Sequence, residues 1–352
     1  MLMFVVVAHS GCDLFPMLPP IGTTVNAGKS FTDAGRIAYD TNDMAVFNGN
    51  IQSSDPDMFD LGPMAAGDRI MVTVNASAGS QLDPNIAVFD DDEDVFSVND
   101  DIDFEGGNFN SKVDNIVKQA ADHYYLGIAR FSQAAVGGSY VATIEISRGA
   151  GITAPPVQTL LLNFAGGPLT INGEGSFDLS PFDAGDIDAA YAGETAAIKR
   201  TIVETVEENF ANTGIVIVVS DDNPKLVEGT FSTIHFGAFS GTKFGIADDV
   251  DIGNLDRCDD AIIFTERFDD PFAEQPSITG IGVAIGNVAA HEAGHLLGLH
   301  HVADISALMD NTGSASTLLA DQDFKTAPLS PSIFPLGNQN DQKIFDRVIP
   351  AP

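Results

Sequence analysis

From residue 31 to about residue 148, apolar and polar positions alternate in short runs, and nothing there keeps a helical period. Arg69-Ile70-Met71-Val72-Thr73-Val74 is one such run, and Asn85-Ile86-Ala87-Val88-Phe89 is a second. Tyr124-Tyr125-Leu126-Gly127-Ile128-Ala129 and Tyr140-Val141-Ala142-Thr143-Ile144-Glu145-Ile146 follow, with turn residues between them. This spacing predicts an antiparallel β-sandwich. After residue 157 the pattern changes. Gln158 to Phe164 reads as a strand. Ala184 to Asn212 reads as a long helix on Ile187, Ala190, Tyr191, Ile198, Ile202, Val203 and Val206, ended by Gly214. Ile215 to Val219 is expected as a buried strand, and Phe231 to Phe236 and Ala261 to Phe264 as two more. Ile278 to Leu299 is an apolar helix, and Asp341 to Val348 a closing one.

The chain has 352 residues, room for two domains. Gly149-Ala150-Gly151-Ile152-Thr153-Ala154-Pro155-Pro156 shifts sharply in composition and marks a linker. The expected organisation is therefore multidomain: an all-β sandwich over 31–148, the linker at 149–156, and an α+β domain over 157–352. Ahead of these, residues 1–30 hold an apolar start, Met1 to Ala8, and a tether rich in Pro and Gly.

Sixteen basic against 50 acidic side chains leave a net charge of −34. That argues against nucleic acid and anionic membrane surfaces as direct partners. It suits calcium binding or a salty medium. Two cysteines, Cys12 and Cys258, exclude a disulfide framework. No apolar run is long enough for a transmembrane helix.

The chemistry concentrates in His291-Glu292-Ala293-Gly294-His295-Leu296-Leu297-Gly298-Leu299-His300-His301, which fits H-E-x-x-H-x-x-G-x-x-H. Residues four apart on a helix share a face, so His291 and His295 can direct two imidazoles at one metal ion. Glu292 lies beside them, placed to hold a water. Gly298 can take a positive φ, which lets the chain leave the helix and return His301 as third ligand. Three neutral imidazoles and an open position make a catalytic Zn2+ site. His300 neighbours His301, and the template spacing favours His301.

These residues resemble the metzincin clan of zinc endopeptidases, in which a methionine turn lies beneath the metal. Ser306-Ala307-Leu308-Met309-Asp310 follows closely and makes Met309 the candidate. The short spacing is similar to that of the matrixin branch. Two departures keep the resemblance at the level of the clan: Val302 follows the third histidine, and no tyrosine closely follows Met309. The resemblance implies a zincin-type catalytic domain that hydrolyses a protein or peptide substrate, with Glu292 as general base. Matrixin-like folds also bind Ca2+ in acidic loops, and Asp248, Asp249 and Asp251 are the candidates here, with a solvated turn as the other reading.

Asp55-Pro56-Asp57-Met58-Phe59, Ala66-Gly67-Asp68-Arg69-Ile70, Leu82-Asp83-Pro84, Val88-Phe89-Asp90, Asn99-Asp100-Asp101, Tyr124-Tyr125-Leu126 and Gly137-Gly138-Ser139-Tyr140 come in an order that resembles the pre-peptidase C-terminal domain, a jelly-roll accessory module of secreted peptidases. His9-Ser10-Gly11-Cys12, after the apolar start, resembles a bacterial lipobox, although His9 and the lack of a preceding basic residue depart from it. That resemblance implies export, as an envelope lipoprotein lipidated at Cys12 or an extracellular protein, with membrane contact only through the anchor. Labelling with a palmitate analogue, lost in Cys12→Ser, is the check on it.

Asp90-Asp91-Asp92-Glu93-Asp94 and Asn99-Asp100-Asp101-Ile102-Asp103 read as solvated loops in preference to calcium sites. His235 and His123 read as structural histidines, and Cys258 as a free or buried thiol. Two other functions fit the same residues: a surface-tethered binding or adhesion protein with a vestigial metalloprotease domain, and a metal-dependent hydrolase of non-peptide amides.

Overall fold

The computed structural model describes residues 25–104, 106–132, 134–221 and 231–352. Cys12 and the lipobox-like stretch lie outside these residues. The first nine strands are β1 (Gly35–Arg36), β2 (Met44–Ile51), β3 (Asp57–Met64), β4 (Arg69–Ala76), β5 (Pro84–Phe89), β6 (Val95–Asn99), β7 (Ser111–Ile116), β8 (Ala121–Arg130) and β9 (Gly138–Ser147). They form a five-stranded sheet in the order β1-β3-β8-β5-β6 and a four-stranded sheet in the order β2-β9-β4-β7. Alternation does what the sequence predicts. Ile70, Val72 and Val74 of β4 point inward, as do Tyr140, Ala142, Ile144 and Ile146 of β9. They meet Phe59, Ile86, Val88, Leu126 and Ile128 of the other sheet in one core.

The outer face of the five-stranded sheet is covered as well. All of β5 is buried. Ile86 and Val88 face the sandwich core, while Ala87 and Phe89 join the core of the second half of the chain together with Met58, Val95, Val98 and Ala129. Phe89 packs on Phe334 with ring centroids 5.5 Å apart. The apolar run Asn85 to Phe89 is therefore a strand between two cores, the situation that removes the need for a polar face.

The second half contains β10 (Thr159–Asn163), β11 (Gly167–Ile171), β12 (Gly175–Leu179), α1 (Thr195–Asn209), β13 (Val216–Val219), β14 (Ser232–Gly237), β15 (Gly245–Ala247), β16 (Asp260–Phe264), α2 (Ile278–Leu296), β17 (Thr326–Pro328), β18 (Asn338–Asn340) and α3 (Asp341–Val348). Its main sheet runs β13-β10-β14-β16-β15, parallel except for the antiparallel edge strand β15. Helices α1 and α2 pack closely because Gly282 and Gly286 lie against Thr201 and Thr205.

Three expectations need correction. The helix expected from Ala184 begins only at Thr195, after two 3₁₀ turns. Asp183 and Asp188 accept hydrogen bonds from the Gly185 and Ala190 amides, and Gly193 takes φ +88°, so local side-chain caps and a left-handed residue win over the apolar period. The strand β13 is half-exposed rather than buried, because it is an edge strand. The Asp90–Asp94 turn is only in part a solvated loop: Asp91, Asp92 and Glu93 are exposed. Asp90 and Asp94 are buried, and with Asp92 they surround Lys343 Nζ of α3 at 3.0, 2.7 and 2.7 Å.

Candidate metal centre

Helix α2 begins at Ser277, whose hydroxyl accepts from the Gly280 amide, and runs apolar through the core to Leu296. Its last turns carry His291, Glu292 and His295. The chain leaves at Gly298, which takes φ +88°; a Cβ there would meet the Asp251 carbonyl oxygen at 2.8 Å. The turn sends His301 back against the helix, as the motif predicts.

The three imidazoles converge. His295 Nε2 and His301 Nε2 are 3.1 Å apart, and one ligand atom from each of His291, His295 and His301 falls within 4.8 Å of the others. His291 Nδ1 donates to the Leu308 carbonyl at 2.7 Å, and His295 Nδ1 donates to the Leu299 carbonyl at 2.7 Å. Each bond fixes the tautomer that leaves Nε2 with its lone pair toward the shared point. Asn311 meets His301 Nδ1 at 3.0 Å. Burial is the main cause that lowers all three imidazole pKa values: His291 is lowered, His295 is held well below its ordinary value, and His301 falls to about 4. At neutral pH all three are uncharged, the form that binds a cation.

Met309 is fully buried, with Sδ against Gly294 of α2, where a Cβ would lie only 2.7 Å from the sulfur. Its carbonyl accepts from the Val302 amide, which ties the turn to the residue after the third histidine.

Glu292 is buried beside this group. Burial pushes its carboxyl up to about 8, against the opposing pull of the Ala247 amide and of Lys243. A carboxyl so placed calls for a nearby cation to hold it ionised at neutral pH. The donor set fits a zinc ion: three neutral imidazoles, two of them with Nδ1–H given to a backbone carbonyl, and a carboxylate alongside that is not needed as a ligand.

The centre opens into a cleft of about 320 Å³, lined on one side by Thr242 to Gly245 and on the other by Leu308 to Gln322. Asn287 of α2 holds the second wall by donating to the Leu318 and Ala320 carbonyls at 3.0 and 2.8 Å. On the first wall, Phe264 N–H donates to the Phe244 carbonyl and Asp248 N–H to the Asp260 carbonyl. Bonded residues alternate along an antiparallel pair, so the backbone groups of Gly245 and Ala247 face the open edge of the sheet. Gly245 also leaves room for the Glu292 carboxylate, which a Cβ would approach to 2.6 Å.

The other candidates fall elsewhere. Asp248, Asp249 and Asp251 are not gathered into one site. Asp248 accepts from the Asn172 and Asp260 amides, Asp249 from Val250, and Asp251 from Asp256, so each organises its own stretch of loop. His235 is satisfied between Asn163 and Asp260, as expected of a structural histidine. His300 is not part of the converging group and lines a separate cavity with Ile344 and Arg347. Cys258 is exposed and distant from the motif in the chain. Asn311 and the carbonyls of Leu299 and Leu308 escaped the sequence reading: a backbone acceptor leaves no trace in residue type, and Asn311 becomes a neighbour only through the turn at Gly298.

Residues 199–326 match the matrixin family of zinc metallopeptidases, a span that runs from α1 through the histidine motif to β17. No curated protein matches the chain. Among solved structures, the pre-peptidase C-terminal domain of a collagenase from Bacillus anthracis is similar over 32% of this chain and 92% of its own, at 14% identity and TM-score 0.23. A zinc-dependent peptidase from Methanocorpusculum labreanum is similar over 46% of this chain and 91% of its own, at 11% identity and TM-score 0.27. PliG from Aeromonas hydrophila, a periplasmic inhibitor of g-type lysozyme, covers 32% and 94%, at 14% identity and TM-score 0.26. Scores this low carry no weight for function.

Proposed function

We propose that this chain, matrixin-like over residues 199–326, is a zinc-dependent endopeptidase that acts outside the cytoplasm. The observation that carries the reading is the convergence of His291, His295 and His301 beside a buried Glu292, at the floor of a cleft whose wall is a free strand edge. His291, His295 and His301 would hold the ion. When bound, the ion supplies Lewis-acid polarisation and makes water acidic enough to react near neutral pH.

The chain's own residues supply the remainder. Glu292 accepts the proton of the attacking water and delivers it to the leaving amine. The Ala247 amide orients the Glu292 carboxylate while that proton is in transit. The outward backbone groups of Gly245 and the Ala247 carbonyl bind an extended peptide as an added strand, which lays its scissile bond across the cleft. Lys243, in contact with Glu174, and Asn287 hold the two walls. Export rests on the sequence pattern from Met1 to Cys12 alone.

The full chain should hydrolyse casein or an internally quenched peptide, and 1,10-phenanthroline or a peptidic hydroxamate should abolish that hydrolysis. Activity that survives the chelator would exclude the metal mechanism. Zinc binding without cleavage of any peptide library would favour the vestigial or non-peptide readings.

A further inference from the structure

The strand β18 lies between the metal centre and the N-terminal sandwich and touches both. Gln339, at its middle, is fully buried. Its side-chain amide closes on one backbone residue from both sides: Oε1 accepts from the His300 N–H at 2.7 Å, and Nε2 donates to the His300 carbonyl at 2.8 Å. Nε2 also donates to Asp341 Oδ1 at 2.9 Å. His300 is flanked by the two residues that matter to the centre. The Leu299 carbonyl orients His295, and His301 is the third ligand of the reading above. One side chain thus fixes the backbone segment that sets two of the three imidazoles.

Gln339 is itself held from the sandwich side. The Asn338 N–H donates to the Glu93 carbonyl at 2.9 Å, in the turn between β5 and β6. Asn340 Nδ2 donates to Asp94 Oδ2 at 3.3 Å. Directly after the strand, Lys343 sits among Asp90, Asp92 and Asp94, and Arg347 donates to the Val95 carbonyl at 3.3 Å. Residues of the Asp90–Val95 turn therefore contact β18 and the helix that continues it on three successive levels.

We propose that Gln339 is a positioning residue for the metal centre, and that the Asp90–Val95 turn of the sandwich keeps it in register, so that the N-terminal domain tunes metal affinity. The inference rests on the assignment of His291, His295 and His301 as zinc ligands. Partners that orient ligands from outside the coordination sphere typically contribute about tenfold to 100-fold in metal affinity. Asparagine is one methylene too short to reach both groups of His300, and methionine fills the volume without bonding either.

The test measures zinc dissociation by chelator competition on the full chain, the visible spectrum of the cobalt-substituted protein, and the melting temperature of the metal-free protein. Gln339→Met and Gln339→Asn should weaken zinc binding about tenfold or more and alter the cobalt bands. Lys343→Gln, which touches no residue of the centre, should weaken it in the same direction by a smaller factor. Asn85→Ala removes a different contact between the halves, at the Ile333 carbonyl and without the Asp90–Val95 turn, and should lower the melting temperature with zinc affinity unchanged. Should both Gln339 variants fail to fold, the contrast between Lys343→Gln and Asn85→Ala decides. Wild-type zinc affinity and cobalt spectra in the Gln339 variants would overturn the positioning role, and equal zinc affinity in Lys343→Gln and the wild type would overturn the link to the sandwich. Failure of the wild-type chain to bind zinc at all would overturn the metal-site reading itself, a distinct result.

Discussion

Gly298 shows how much of the centre rests on a single backbone angle. At φ +88° and against the Asp251 carbonyl, it leaves no place for a side chain. Alanine there would take on left-handed strain of about 1–2 kcal/mol together with a steric clash. Gly298→Ala should therefore lower the urea midpoint by the equivalent of about 2 kcal/mol or more and weaken zinc binding, because the turn places His301. A variant with an unchanged midpoint would mean that the turn is not constrained as described. This residue was legible in the sequence, since the motif itself spaces the two helical histidines, the glycine and the returning histidine. Gln339 and Asn311 were not legible. Gln339 reaches the His300 backbone from far along the chain, Asn311 reaches His301 across a turn, and an isolated amide side chain has no periodicity to betray it.

At the scale of elements, α2 and the parallel strands were legible because their apolar runs are long and end in turn residues. The hairpin of β11 and β12 and the small sheet of β17 and β18 were not, because they are short and largely polar. The beginning of α3 carries a further consequence. Asp341 is fully buried, and burial pushes its carboxyl up to about 7, despite bonds from the Gln339 amide and the Lys325 N–H. In the unfolded chain an aspartate titrates near about 3.9. The folded protein thus binds more protons than the unfolded chain in the window between these values, and stability falls as pH rises from about 4 to about 7. Asp259, raised to about 7 mainly by burial, adds a contribution of the same sign. In urea denaturation at pH 5 and pH 8, Asp341→Asn should lose less stability across that interval than the wild type. An equal loss in both proteins would show that Asp341 does not titrate as a buried acid.

The whole molecule differs most from what its sequence suggests. A linker-like stretch between two patterned regions reads as two separable bodies. Instead, β5 lies between two cores, and Phe89 packs against Phe334 at a tilt of 59°. Asp90, Asp92 and Asp94 of the acidic turn read as solvated are gathered by Lys343, a partner too far along the chain for local charge patterning to reveal. Such an interface couples the two halves thermodynamically. Calorimetry of the full chain should give a single unfolding transition, and residues 157–352 alone should melt at lower temperature or aggregate, since Phe334 loses the cover of Phe89. Two well-separated transitions would contradict this coupling. Zinc content and peptide hydrolysis, measured side by side in the wild type and in Glu292→Ala, separate metal binding from proton transfer by Glu292. The variant is expected to retain its zinc and to lose hydrolysis by about 100-fold or more; a variant that keeps hydrolysing peptides at the wild-type rate, or a wild type purified to full activity without zinc, would contradict it.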